Sequence, residues 1–183
     1  HMGLRELMAQ RESEREGVSV NPEDMALMNG SMQAVTLAGQ ALMSAQGDLV
    51  ITETYTYSGT IAAYKDIGLD LVGTPVDAYG MRMDLLEQRL DRLPVKPNFI
   101  YTSTSYQNPT GTTMSRQRRI EFIDLAAEFD VPIVEDNCYG DVHFEGEKQP
   151  SLYAKKPDPR HLYIGSLSKI FAPWVRLGYL LAE

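Results

Sequence analysis

The sequence predicts an α/β fold in three layers, in which a mostly parallel sheet is covered by helices on both faces. Short apolar segments typical of strands alternate with segments of helical periodicity along the 183 residues, which is the pattern of βαβ units. No internal repeat or low-complexity tract interrupts this alternation. With 43% hydrophobic and 23% charged residues, the chain has a globular composition that can build a sizeable core.

The first half of the chain contains three predicted strands and two predicted helices. Residues 24–30 form a short apolar strand that ends in glycine, and the next serine caps a helix predicted over 31–47. A strand is predicted at 48–53, a helix at 57–68 and a strand at 69–76. Both helices are closed by a glycine, which is the residue that most easily ends a helix.

The second half continues the same pattern. A helix predicted over 83–93 carries a stripe of leucines, and an aromatic and β-branched strand follows at 97–103. Residues 115–130 predict a helix with a charged outer face, and 131–136 predict an apolar strand that ends in two acids.

Two further strands are predicted at 161–166 and 176–182. The polar, proline-rich segment 146–160 is predicted to be a surface excursion. Residues 1–2 are interpreted as a cloning remnant.

Composition and charge argue against several functions. A formal net charge of −8 argues against nucleic acid or an anionic membrane as the main partner. Cys138 is the single cysteine, so no internal disulfide can form, which favours a reducing, cytoplasmic compartment. The sequence has neither a signal peptide nor an apolar run of the roughly 18–20 residues that span a bilayer. His143 and His161 lie outside any metal-ligand pattern, so no metal is predicted.

Polar residues follow the carboxyl ends of five predicted strands. In open α/β sheets, ligands bind beyond these ends, so we expect these residues to converge on one site: Gly30–Ser31, Tyr57, Asn108, Asp136 and Lys169.

Lys169 lies among small hydroxyl residues and an apolar run that predicts burial. It is either a solvated lysine in a turn or a Schiff-base nucleophile whose pKa is lowered by desolvation or a nearby cation. Arg176, seven residues later, is either a structural ion-pair partner or a bidentate phosphate ligand.

Each of the other candidate residues also has two possible interpretations. Asp136 is either a helix N-cap or a member of a loop ion pair, or it holds a proton on a heterocyclic nitrogen. Asn108 lies in the sequence Asn-Pro-Thr-Gly, which predicts a turn, and it either caps this turn or donates to a ligand oxygen. The pair Gly30–Ser31 is either a plain helix cap or a binding site for an anion. Tyr57 either stacks on a flat ring or fills the edge of the core. Cys138 is expected to pack in the interior without a chemical role.

Together, five motifs resemble those of a known family in their order and spacing: "NGSMQAV", "TYTYSG", "SYQNPTG", "IVEDNCYGD" and "GSLSKIFAPWVRLGYL". The family is the fold-type I, pyridoxal-phosphate-dependent aminotransferases of class I/II. Within it, the chain is most similar to the 2-aminoadipate, kynurenine and aromatic aminotransferases and to the related domain of MocR-type regulators.

This resemblance implies pyridoxal 5′-phosphate as the cofactor. It implies that Lys169 forms the internal aldimine and shuttles the substrate α-proton, that Asp136 pairs with the pyridinium nitrogen, and that Tyr57 stacks on the ring. Asn108 and Tyr139 are implied to bind the phenolic oxygen. The phosphate is implied to be held by the segment Gly30, Ser31 and Met32, by Ser166 and Ser168, and by Arg176.

The implied activity is amino-group transfer between an amino acid and a 2-oxo acid. The alternatives are a cofactor-binding sensor domain of a MocR-type regulator, or a lyase or decarboxylase on the same fold. Because family members are much longer, residues 3–183 are expected to be the cofactor-binding large domain of a homodimer. Its N-terminal segment and C-terminal small domain are expected to be absent, so the isolated part is expected to be inactive.

Three residues depart from the family pattern: Met32 replaces a glutamine, Cys138 a proline and Trp174 a small residue. The resemblance leaves open whether Trp174 narrows the cofactor site or changes a subunit contact.

Overall fold

The computed structural model describes residues 2–45, 47–156 and 158–182. His1 of the interpreted remnant lies outside the described residues, whereas Met2 begins the first helix. The helices of the described part are α1 (Met2–Glu16), α2 (Ser31–Leu42), α3 (Ser58–Asp66), α4 (Met83–Arg92), α5 (Arg116–Glu128) and α6 (Leu152–Lys155). Its strands are β1 (Met25–Asn29), β2 (Leu49–Glu53), β3 (Asp70–Thr74), β4 (Val76–Asp77), β5 (Gly80–Met81), β6 (Phe99–Thr102), β7 (Ile133–Asp136), β8 (His161–Ser166) and β9 (Leu177–Leu181).

A seven-stranded sheet has the order β1-β9-β8-β7-β6-β2-β3. The five strands from β8 to β3 pair in parallel, whereas β9 is antiparallel to both β1 and β8. The strands β4 and β5 form a separate two-stranded ribbon. The predicted mostly parallel α/β sheet is therefore confirmed.

Helices cover both faces of this sheet because successive strand residues point to opposite sides. Val134 and Ile164 pack with α2 and α3 on one face, while Ile133 packs with α4 and α5 on the other. Full burial of each such side chain contributes about 1.5–3 kcal/mol. Helix α1 packs on the outer strands through Met8 and Ala9. None of the described helices is long and apolar enough to cross a bilayer.

Helix α2 ends at Leu42, so the predicted end at Gly47 is wrong. The carboxylate of Asp48 accepts hydrogen bonds from the backbone N–H groups of Ser44 and Ala45. This side-chain turn satisfies amides that would otherwise continue the helix. The predicted strand 69–76 is likewise interrupted after Thr74, because Pro75 has no N–H to donate to a ladder.

The segment 146–160 is only partly a surface excursion. Ser151, Leu152 and Tyr153 are buried where they begin α6. The backbone N–H groups of Leu152 and Tyr153 donate to the Glu135 carboxylate at 3.0 and 3.1 Å, so the start of this short helix is tied to the sheet.

Candidate active site

A cavity of about 260 Å³ opens at the carboxyl ends of the central strands. All of the predicted site residues line this cavity except Gly30, which lies against the lining residue Arg176. The lining comprises Ser31, Met32, Thr56, Tyr57, Tyr101, Ser103, Asn108, Asp136, Cys138, Tyr139, Ser166, Ser168, Lys169, Pro173 and Arg176.

Two cations line this cavity. The Nζ of Lys169 lies 5.5 Å from the ring centroid of Tyr139, and the Arg176 guanidinium has a long contact of 3.5 Å to the carbonyl of Pro173. No salt bridge to either is formed within the described residues. The segment around Lys169 is exposed, with Phe171 at 75% and Trp174 at 80%, so its predicted burial is wrong. Because neither cation is held in an ion pair among the residues that the structure describes, this part of the cavity suits an anionic ligand.

The start of α2 forms a cradle against β9 and Arg176. A Cβ atom on Gly178 would lie 2.6 Å from the carbonyl carbon of Gly30 and 2.7 Å from the backbone nitrogen of Ser31. A Cβ on Gly30, whose φ is 78°, would lie 2.3 Å from Nη2 of Arg176. Only glycine permits this approach, which brings the guanidinium beside the positive end of the helix, an arrangement that binds phosphate groups.

Asp136 ends β7 at the floor of the cavity. Its Oδ2 accepts a hydrogen bond from the Tyr101 hydroxyl at 2.7 Å, and its Oδ1 accepts from the backbone N–H and the thiol of Cys138 at 3.2 and 2.8 Å. Burial raises the pKa of this carboxyl above its ordinary value, although these hydrogen bonds oppose the rise. A cationic group in the cavity would stabilise the carboxylate.

Three further predicted residues lie on the other walls. The amide of Asn108 donates to the Tyr139 hydroxyl at 3.4 Å, and the Asn108–Pro109 peptide bond is cis. The Tyr57 side chain, 44% exposed, lies immediately before α3. The cavity therefore combines an aromatic ring with an amide and a phenol.

Four further residues line the cavity that were not predicted from the sequence, namely Thr56, Tyr101, Ser103 and Pro173. Cys138, expected only to pack, also lines the cavity and contacts Asp136. Tyr101 pairs with Val134 of β7, which puts its buried hydroxyl beside the end of that strand. The sequence pattern carries no signal for this alignment. The clusters of His, Cys, Asp and Glu that a metal needs are absent from the described part of the chain.

Comparison with known proteins identifies the class. The model of the family "Aminotransferase class I and II" matches residues 1–183. The chain is 36% identical to aromatic-amino-acid aminotransferase 1 of Thermococcus litoralis, over 98% of this chain and 44% of that protein. It is 33% identical to the uncharacterized HTH-type transcriptional regulator YisV of Bacillus subtilis, over 89% of this chain and 33% of the regulator.

A solved structure agrees with these relatives. The fold superposes with a TM-score of 0.91 and 33% identity on the kynurenine aminotransferase of Pyrococcus horikoshii, solved in complex with PMP, kynurenine as substrate and KYA as product. The alignment covers 97% of this chain and 44% of that one. The chain belongs to the class I and II aminotransferase family, and it spans less than half the length of these relatives.

Proposed function

We propose that the protein to which this chain belongs is a pyridoxal-phosphate-dependent aminotransferase that moves an amino group between an amino acid and a 2-oxo acid. Residues 3–183 form its cofactor-binding large domain, and the remaining segments of the family fold lie elsewhere in the full-length protein. The observation that carries the proposal is the convergence of Lys169, Asp136 and Arg176 on one cavity.

The residues present fit the cofactor's phosphate. Neither Gly30 nor Gly178 has room for a side chain beside the start of α2, and the first turn of this helix contains no acidic residue. The hydroxyls of Ser166 and Ser168 line the same cavity as Arg176. These donors, with the backbone N–H of Met32, would hold the phosphate dianion by charge-assisted hydrogen bonds.

The residues at the other end of the cavity fit the ring. Asp136 would hold a proton on the pyridine nitrogen, because opposite charges about 4 Å apart attract by about 4 kcal/mol at an effective dielectric near 20, before desolvation. Tyr57 would stack on the ring, and Asn108 and Tyr139 would bind its phenolic oxygen. When bound, the cofactor supplies an aldehyde for amine exchange and an electron sink for the substrate α-carbon.

Lys169 has two roles in this proposal. Its Nζ would attach the cofactor covalently, and the same amine would then move the proton at the substrate α-carbon.

A homodimer is part of the proposal. Four apolar side chains beside the cavity are exposed, namely those of Ile170, Phe171, Trp174 and Val175. Trp174 does not line the cavity, which favours a role in a subunit contact over a narrowing of the cofactor site. A cytoplasmic location, and no nucleic-acid partner for this part of the protein, remain predictions.

The second candidate is a sensor domain in a transcriptional regulator. The similarity to YisV supports it, since the same cavity could bind cofactor and ligand without turnover. Amino-acid half-reactions of the full-length protein, followed by absorbance, separate the two functions: spectral conversion with return by a 2-oxo acid supports the aminotransferase, and no conversion by any amino acid supports the sensor.

The attachment site is tested by borohydride reduction of the chain with pyridoxal phosphate, followed by peptide mass spectrometry. We expect one modified lysine, Lys169, and no specific modification in Lys169→Ala. Lys96→Ala, which removes an exposed lysine at the opposite end of the sheet, is the matched control and should label like the unaltered chain. Labelling at another lysine in place of Lys169 would refute the assignment.

A further inference from the structure

Glu53 is a buried carboxyl group without a role in the function proposed above. It ends β2, is 2% exposed and forms no salt bridge within the described residues. Its Oε1 accepts hydrogen bonds from the Thr102 hydroxyl at 2.6 Å and the Ser103 backbone N–H at 2.9 Å. Its Oε2 accepts a long hydrogen bond from the Thr56 hydroxyl at 3.4 Å.

Two of these donors, Thr56 and Ser103, belong to loops that form walls of the cavity, whereas Thr102 ends β6. Thr56 lies in the segment 54–57, which ends at Tyr57, and Ser103 begins the segment 103–108, which ends at Asn108. Thr56 and Ser103 themselves line the cavity. The amide of Gln107 donates to the carbonyl of Tyr55 at 2.6 Å, so the two loops are joined directly as well.

Burying this carboxyl is costly. Burial raises its pKa to about 7, although the hydrogen bonds from Thr102, Ser103 and Thr56 act in the opposite direction. A side chain that only filled space would be better replaced by an apolar one. What the carboxyl provides is two oxygens that accept from two different loops at once.

We propose that Glu53 is a positioning residue that holds the 54–57 loop against the 103–108 loop, and thereby sets the distance between Tyr57 and Asn108 across the cofactor ring. The effect on the ring rests on the proposed function, whereas the tie between the loops does not. Glutamine can replace the carboxyl, because its oxygen still accepts from Thr102 and Ser103 and its amide can donate to the Thr56 hydroxyl.

The tie is tested by amide hydrogen exchange of the chain without cofactor. In Glu53→Ala we expect exchange in 54–57 and 103–108 to rise about tenfold, the effect of losing one to two net hydrogen bonds. Glu53→Gln should keep both loops protected. Ile123→Val, a mild core change in α5, is the control: it should lower global stability without a selective effect on either loop.

The positioning role is tested by titrating the same variants with pyridoxal phosphate. We expect the dissociation constant to rise about tenfold in Glu53→Ala, to recover in Glu53→Gln and to stay unchanged in Ile123→Val. If Glu53 only stabilised the fold, the affinity for pyridoxal phosphate would fall in proportion to the unfolding midpoint in all three variants. That result would overturn the proposal. Unchanged exchange in both loops of Glu53→Ala would also overturn it.

If Glu53→Ala does not fold, Thr56→Val decides. This variant removes only the hydroxyl that donates to Oε2, so amide exchange should rise in residues 54–57 and not in residues 103–108. If both segments exchange as they do in the unaltered chain, the proposed tie is overturned. An unaltered chain that binds no pyridoxal phosphate at all would count against the proposed function, while the exchange data would still report on Glu53.

Discussion

Replacing Asp136 by asparagine is expected to weaken pyridoxal phosphate binding about 100-fold, because truncating one partner of a buried charge pair costs about 2–5 kcal/mol. The change preserves shape: the asparagine oxygen can still accept from Cys138, and its amide can donate to the Tyr101 hydroxyl. The loss therefore reports on charge. Titration by absorbance gives the dissociation constant.

The protonation state of the ring provides a second measurement. With cofactor labelled by nitrogen-15, we expect a pyridinium chemical shift in the unaltered chain and a neutral pyridine shift in Asp136→Asn. Asp130→Asn, which removes an exposed carboxylate, is the matched control and should change neither quantity. Equal affinities and shifts for Asp136→Asn and the unaltered chain would rule out the assigned role.

Replacing Arg119 by methionine is expected to destabilise the fold by about 3–5 kcal/mol, the usual cost of removing one member of a buried charge pair. Arg119 is fully buried although it lies on the helix predicted to have a charged outer face. Its Nη1 is 3.8 Å from Oε1 of Glu135. Its guanidinium donates to the carbonyls of Met114, Thr104 and Pro150 and to the hydroxyls of Thr104 and Ser105.

Urea unfolding measures this effect, and the double variant Arg119→Met/Glu135→Gln is its control. Because the second change also removes the Glu135 charge that Arg119 offsets, the double variant should be more stable than Arg119→Met alone. If the two variants have the same unfolding free energy, the coupling between Arg119 and Glu135 is negligible and the prediction fails.

The ionisation of Glu135 is also expected to make the stability of the fold depend on pH. Burial opposes its ionisation, but hydrogen bonding and the charges of His161 and Arg119 lower its pKa to about 2. A carboxyl with a lowered pKa stabilises the fold fully above its unfolded value, near 4.5, and this contribution is lost as the pH falls towards 2. Unfolding at a series of pH values should therefore show a smaller acid loss in Glu135→Gln than in the unaltered chain.

Much of the architecture could be predicted from the sequence because strand and helix periodicities differ. The strand 161–166 was placed correctly to the residue, and the polar residues after each strand led to the cavity because parallel strands share one carboxyl edge. The end of α2 could not be predicted, since it depends on the Asp48 side chain turning back onto Ser44 and Ala45.

Buried polar contacts were the hardest feature to predict. Arg119 follows the polar pattern of an exposed helix face, but its partners come from loops far away in the chain. Tyr101 and Glu53 likewise acquire their partners only when neighbouring strands align. Periodicity describes which side of an element is apolar, and carries no information about which distant donor meets which acceptor.

The place of β9 between β1 and β8 has a consequence for biosynthesis. Gly178 packs against Gly30 and Ser31, so the first turn of α2 lacks this support until the last of these strands has been synthesised. A nascent chain that stops before β9 contains all five parallel strands from β8 to β3, but it lacks Gly178 and therefore a finished cradle. We therefore expect the proposed cofactor to bind only after β9 has been synthesised.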